Sequence, residues 1–219
     1  AGVSGAESFE IENPATASVF ATAPDCTYEE LDLAVEAARS AFDSWRGLSF
    51  QARRKLIQNF AEKLSQDAEN LAELLTKEQG KTTADSITDI MAGAWWLGET
   101  TQYELPEIIS EESDDRVVVT TREPIGVVAG IVPWNYPVMI AMFKVAPALL
   151  AGNTMILKPS PTTPLTTLRI GELAREIFPP GVLNVISGSD RLGPLLTAHP
   201  GIDKISFTGS TQTGRRVMK

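Results

Sequence analysis

The sequence is poor in the residues that most often carry chemistry on their own. It has one cysteine and one histidine in 219 residues. A lone cysteine, Cys26, permits no internal disulfide and fits a reducing compartment, so a cytoplasmic setting is expected. No base and no helix N-terminus activates it, so it is not read as a nucleophile. The lone histidine, His199, precedes Pro200-Gly201 with no second histidine or cysteine near it, and reads as a helix-terminal residue beside a turn; no metal site is expected. Positive charge is also scarce: 19 Lys and Arg against 28 Asp and Glu leave a formal net charge of −9, which argues against a nucleic-acid surface. No stretch approaches the roughly 20 apolar residues that span a bilayer. The longest, 138–151, is too short and carries Lys144 and Pro147. The acidic N-terminus lacks the basic-then-apolar pattern of a secretory signal. No low-complexity tract is present, and no repeat beyond an alternation of strands and helices.

What is present is an ordinary globular composition, 43% hydrophobic, long enough for one large domain or one domain with accessories. The informative stretch is 125–219. Val127 to Val132 is an apolar run without a polar break, as in a strand buried on both faces. Pro133 and Pro137 then bracket a loop, since neither can supply a ladder N–H, and Asn135 sits in that loop. Val138 to Leu150 has the length and apolar face of a helix. The unit repeats: a strand at Met155-Ile156-Leu157, Lys158-Pro159-Ser160-Pro161, and a helix from Leu165 to Ile177. Pro179-Pro180-Gly181 turns the chain into a third strand, Leu183 to Ile186. Gly188-Ser189-Asp190 is expected to cap a short helix ending near Ala198. A fourth strand, Lys204 to Phe207, runs into Thr208-Gly209-Ser210-Thr211-Gln212-Thr213-Gly214, which should open another helix. Strands alternating with helices imply right-handed crossovers and a parallel, Rossmann-like sheet flanked by helices.

Ahead of that stretch, residues 1–26 read as an extended arm with one short hairpin, Phe9 to Ile11 against Ser18 to Ala21. Thr27 and Glu30 form a capping-box pattern, followed by one helical face of Leu31, Val35, Ala38 and Phe42. Ser49 is expected to cap a second helix, Asp67 a third that stops at Gly80, and Thr82 or Thr83 a fourth that runs toward Pro106. Glu104 to Asp115, with six acidic residues in twelve, reads as a solvated connection. Arg116 to Arg122 is β-branched and reads as a strand. The organisation expected is an N-terminal arm with helices over 1–115, a strand over 116–124, and the strand–helix repeats over 125–219.

In an open parallel sheet, ligands bind beyond the carboxyl ends of the strands. Trp134-Asn135, Lys158, Gly188 and Gly209-Ser210 each follow one of the four strands, so all four fall on one rim.

The motifs Pro133-Trp134-Asn135-Tyr136-Pro137, Lys158-Pro159-Ser160 and Phe207-Thr208-Gly209-Ser210-Thr211 with Gly214, together with Asn13-Pro14-Ala15-Thr16, resemble those of the NAD(P)-dependent aldehyde dehydrogenases in order and spacing. The resemblance runs over essentially the whole chain. It implies oxidation of an aldehyde to a carboxylic acid with NAD(P)+ through a cysteine thiohemiacetal and thioester. It also implies that this chain is the cofactor-binding part, since the nucleophilic cysteine and the base glutamate of the family match nothing in it. On that view 116–124 belongs to a protruding oligomerisation element, truncated here, and the complete enzyme is a homo-oligomer, a dimer or tetramer. A non-catalytic dinucleotide-binding or assembly module is the alternative.

By resemblance Asn135 donates to the oxyanion; from its setting alone it serves equally to stabilise the turn between two prolines. Lys158 would meet a ribose hydroxyl, and otherwise snorkels to solvent. Gly209 and Ser210 would receive the pyrophosphate, with Ser210 otherwise a plain N-cap. Ile131, Val132, Pro133 and Trp134 would wall the nicotinamide side, and otherwise pack in the core. Ser160, Gly188, Gly193, Phe207, Thr208 and Gly214 complete the implied cofactor set. Many members have a glutamate where Pro161 stands. Its loss removes a repulsion toward a 2′-phosphate, so NAD is expected with NADP admitted; no dedicated arginine for that phosphate is evident.

Overall fold

The protein is described from a computed structural model that covers residues 7–218; the first six residues of the expected arm lie outside the described residues. An antiparallel hairpin, β1 (Ser8–Asn13) with β2 (Ser18–Pro24), opens the chain. Four helices follow: α1 (Tyr28–Arg46), α2 (Phe50–Gln66), α3 (Ala68–Gln79) and α4 (Thr83–Thr100). Then come β3 (Ile108–Glu112) and β4 (Val117–Thr120), which pair with each other as an antiparallel ribbon. The remainder alternates: β5 (Val127–Ile131), α5 (Pro137–Leu150), β6 (Thr154–Lys158), α6 (Leu165–Arg175), β7 (Leu183–Val185), α7 (Leu192–Ala198), β8 (Lys204–Phe207) and α8 (Thr211–Val217).

β5 to β8 form one parallel sheet in the spatial order β7-β6-β5-β8. The chain steps outward from β5 to β7 and then returns to the other side of β5. The order therefore reverses at β5, which is where an open parallel sheet leaves a crevice. β5 and β6 are buried on both faces, as their unbroken apolar runs require. On one face Met155, Leu157 and Leu183 join α2 to α6 in the larger core, with Trp45, Phe60, Leu97 and Met142 fully enclosed. On the other, Val127, Ala129 and Ile156 meet Leu31, Val35 and Ala38 of α1 and Leu192 and Leu196 of α7. Two polar side chains fix the strands in register. Asn153 Oδ1 accepts from the N–H groups of Ile125 (2.6 Å) and Gly126 (3.0 Å), tying β5 to β6. Asp203 Oδ2 accepts from Val127 N at 2.7 Å, tying β5 to β8, and from Arg39 at 2.8 Å.

The local start signals hold for α1, where Thr27 and Glu30 exchange bonds in a capping box, and for α2 and α4, capped by Ser49 and Thr82. Gly80 ends α3 in the left-handed region at φ +88°. Four expectations need correction. Asp67 caps no N–H group of α3; one residue alone separates α2 from α3, and its carboxylate accepts from the Asn70 side chain at 2.6 Å. The acidic stretch read as a connection contains β3, steadied by a two-pronged pairing of Arg116 with Glu111 at 2.7 Å. α4 ends at Thr100, well before Pro106. α7 begins after Arg191 without a side-chain cap: the Ser189 Oγ accepts from Arg191 Nε at 3.4 Å, and the Ser189 N–H donates to Asp25 Oδ1 at 2.8 Å. Among the described residues no helix is long and apolar enough to cross a membrane.

Candidate functional site

The crevice at the sheet reversal is an open cleft of about 790 Å³. Its walls come from the ends of β5, β6 and β8, from α7 and from the start of α8. Ile131, Val132, Pro133, Trp134, Asn135, Lys158, Ser160, Gly193, Phe207, Thr208, Gly209 and Ser210 all line it. The structure thus brings together eleven residues from the three segments that the motifs singled out, with Gly193 of α7 as a fourth contribution. Gly188 and Gly214 do not reach the wall. Gly188 is buried beneath Leu192, where a Cβ would come within 2.6 Å of that side chain; it serves close packing at the head of α7. Gly214 faces the Phe207 ring.

Lys158 ends β6 and is only 5% exposed, so it does not reach solvent as a snorkelling lysine would. Its ammonium donates to Pro159 O at 3.1 Å. Burial pulls its pKa below the ordinary lysine range, partly opposed by the carboxylates of Asp190 and Asp25. Lys144 of α5 lies beside it in kind: Nζ donates to Ser206 Oγ (3.1 Å) and Thr208 Oγ1 (2.8 Å), tying α5 to the end of β8, and burial lowers its pKa too. Ser210 is the N-cap of α8, its Oγ accepting from Thr213 N at 3.1 Å. Gly209 passes under the Phe207 ring so closely that a Cβ there would stand 2.5 Å from Cζ, which reserves the position for glycine. Ser160 Oγ lies 2.9 Å from Thr162 Oγ1.

The loop after β5 is held from outside. Val132 N donates to Lys158 O at 3.1 Å, which fixes its start. Tyr136 occupies the N-cap position of α5 but its side chain makes no capping bond. Asp89 of α4 takes that role, Oδ1 accepting from Met139 N at 2.8 Å. Its Oδ2 meets Lys81 Nζ at 3.0 Å, and Lys81 Nζ donates on to Asn135 O at 2.8 Å. Asn135 itself is exposed on the cleft wall.

Sequence reasoning missed several lining residues, among them Ile140, Asp190, Thr197 and Arg216. It also missed Lys81 and Asp89. The start of α4 gave a local signal for Thr82, but none for a pair whose partners lie some fifty residues on. His199 is buried and bonded on both nitrogens: Nδ1 accepts from Gly201 N at 3.1 Å and Nε2 lies 3.1 Å from Asp32 Oδ1. Cys26 is inert as a thiol; burial, with Glu30 and Asp25 nearby, pushes its pKa up to about 12. Neither lines the cleft. Among the described residues no group of three or more His, Cys, Asp or Glu could hold a metal ion.

Comparison with known proteins finds relatives in both sequence and fold. The family model described as "Aldehyde dehydrogenase family" matches residues 3–219. FUS7 of Gibberella fujikuroi is 42% identical over 207 residues, 94% of this chain and 45% of its own. The aldehyde dehydrogenase LUC3 of a Fusarium species is 43% identical over 207 residues, 94% of this chain and 44% of its own. Among solved structures, an indole-3-acetaldehyde dehydrogenase in apo form superposes with a TM-score of 0.93 at 41% identity, over 97% of this chain and 52% of that one. The P. syringae AldA indole-3-acetaldehyde dehydrogenase, in complex with NAD+ and IAA, superposes with a TM-score of 0.94 at 41% identity, over 97% and 44%. The chain thus spans less than half the length of the curated relatives it matches.

Proposed function

The chain belongs to the aldehyde dehydrogenase family, and from that premise we propose that the protein oxidises an aldehyde to its carboxylic acid with NAD+, the 219 residues supplying the cofactor cleft and the oxyanion donor. The nucleophilic cysteine and the base glutamate come from outside these residues. The observation that carries the reading is the meeting of three segments in one cleft at the reversal of strand order, with Asn135, Lys158 and Gly209-Ser210 on its wall.

These residues fit a dinucleotide. Lys158 is buried with acceptors to spare for its remaining donors only on an incoming group, as a ribose hydroxyl would provide. Gly209 lets the backbone come close to a pyrophosphate, and Arg216 on the same wall adds positive charge. Trp134 and Ile131 give the nicotinamide end an apolar wall. When bound, NAD+ supplies the acceptor of the electron pair. Asn135 acts on the substrate: as thiolate attack makes the aldehyde oxygen anionic, its side-chain amide donates to that oxygen in the transition state. Pro161 leaves the adenosine side without a carboxylate where many members carry glutamate. That admits NADP+ as a second reading, and the ratio of NAD+ to NADP+ affinities decides it. Within the same reading the protein works in the cytoplasm as a homo-oligomer, a dimer or tetramer, with the β3–β4 ribbon at a subunit contact.

The test is Asn135→Ala in the complete protein. Its kcat should fall about 10²- to 10³-fold while the NAD+ dissociation constant stays unchanged. An unchanged kcat would remove Asn135 from the chemistry, and failure of the wild-type protein to bind either dinucleotide would remove the cleft.

A further inference from the structure

We infer that Lys81 and Asp89 are positioning residues for Asn135, an enclosed ion pair that fixes the loop carrying the amide donor. The inference rests on the functional reading of Asn135 given above.

α5 begins in a way that cannot complete itself. Pro137 at its first turn has no N–H, and the Tyr136 side chain before it makes no capping bond to the free N–H groups that follow. Asp89 reaches across from α4 and supplies the acceptor: Oδ1 takes Met139 N at 2.8 Å, at the positive end of the helix. Its carboxylate is 0% exposed and the Lys81 side chain 10% exposed, so neither is free to wander. Lys81 Nζ stands 3.0 Å from Asp89 Oδ2, 2.8 Å from Asn135 O and 4.3 Å from the centre of the Tyr136 ring. One ammonium and one carboxylate therefore grip three consecutive pieces of chain: the carbonyl of Asn135, the ring of Tyr136 and the first turn of α5. Lys81 is itself anchored, between the left-handed Gly80 that ends α3 and the Thr82 that caps α4.

An enclosed ion pair adds little net stability, because removing two charges from water offsets their attraction. What it does well is fix geometry. Here the fixed group is the peptide that follows the Asn135 Cα, and with it the direction in which the exposed side-chain amide is presented. Loss of the Lys81 contact frees that peptide to turn, and misplacement of a catalytic group by about 1 Å can lower a rate by roughly 10²-fold.

The experiment measures kcat, KM and the NAD+ dissociation constant in the complete protein, with whichever of propanal and benzaldehyde is turned over faster. The variants are Lys81→Met, Lys81→Arg, Asp89→Asn, Asn135→Ala and the double variant Lys81→Met/Asn135→Ala. Lys81→Met should lower kcat about 10- to 100-fold, leave the NAD+ dissociation constant within about twofold, and be largely restored by Lys81→Arg. The double variant should be no more than about twofold slower than Asn135→Ala alone, because the clamp acts through that amide. A merely structural role predicts instead that the two losses multiply, and that result overturns the inference. So does a folded Lys81→Met with wild-type kcat. If Lys81→Met fails to fold, Asp89→Asn keeps an acceptor for Met139 N while weakening the hold on Lys81; a wild-type kcat in it overturns the inference equally. Asn135→Ala with wild-type kcat, or no turnover of either aldehyde by the wild-type protein, defeats the functional reading; an impaired Asn135→Ala beside an unimpaired Lys81→Met defeats the clamp alone.

Discussion

At the scale of single residues, Lys158 makes a two-signed test of the cleft. Its ammonium is buried with a single carbonyl partner, Pro159 O, among the described residues. Burying a charge without full compensation is unfavourable, and a hydroxyl group brought by the cofactor would offset that cost. Lys158→Met keeps the stem's apolar packing and removes the charge. It should raise the melting temperature of the cofactor-free protein and, in the same variant, weaken NAD+ about tenfold, since a hydrogen bond to a charged group contributes roughly 1.5 kcal/mol or more. Thermal melts with and without NAD+ read both effects. A lower melting temperature without cofactor, together with unchanged NAD+ affinity, would make Lys158 a purely structural residue. The sequence could reveal Lys158 because it ends an apolar strand, where a charged side chain is conspicuous, and Asn135 because it sits in the proline-bracketed loop that follows one. Asp190, Thr197 and Arg216 sit on the same wall, yet they come from a loop and two short helices. Their distance from the cleft depends on how α7 and α8 pack, which no local pattern encodes.

At the scale of elements, some helix starts are capped from within and two from elsewhere, while α3 and α7 have no side-chain cap. Thr27, Ser49 and Thr82 accept from N–H groups three residues on, and each was legible as a cap in the sequence. α5 and α6 begin at Tyr136 and Pro164, neither of which makes a side-chain cap, and their acceptors are Asp89 and Glu78 from α4 and α3. Long-range capping leaves no periodic or spacing signal, which is why nothing in the sequence singles out the two most consequential carboxylates of the N-terminal helices. Glu78 accepts from Leu165 N (2.7 Å) through Oε2 and from Thr166 N (3.0 Å) through Oε1. Burial nevertheless prevails over those donors and pushes its carboxyl up to about 7, against about 4.5 unfolded. The folded protein then holds the extra proton between those two values, so this group favours folding at acid pH and loses that advantage as pH rises from about 4.5 to about 7. The difference in melting temperature between wild type and Glu78→Gln should shift against the wild type across that window and level off above it. A difference that is flat from pH 4.5 to 7.5 would show that the two N–H groups, and not burial, govern the carboxyl.

At the scale of the whole molecule, two surfaces are at odds with a protein of this charge standing alone. The β3–β4 ribbon exposes Ile108, Ile109, Val117, Val118 and Val119, and only its two strands pair with each other. A two-stranded ribbon is marginal in water, and its free edges offer unpaired N–H and C=O groups to any neighbouring strand. The second surface lies on α4 and α5, where Met91, Trp95 and Phe143 are exposed beside the half-buried Trp96. Apolar area of this kind, contiguous rather than scattered, marks a place where other protein is expected to sit. The net charge of −9 opposes indiscriminate association by repulsion, so contact should come through these surfaces and sharpen as salt screens the charge. The 219-residue polypeptide by itself should therefore self-associate, more at about 0.5 M salt than at low salt, and on the function proposed above it should give no NADH from aldehydes. Val118→Lys with Ile109→Lys should return it toward a monomer in sedimentation velocity while leaving NAD+ binding in place, since the ribbon contributes no residue to the lining of the cleft. A polypeptide that stays monomeric at all salt concentrations would relieve both surfaces of this role; association that survives both charges would assign it to the α4–α5 face, where Trp95→Lys is the matching change.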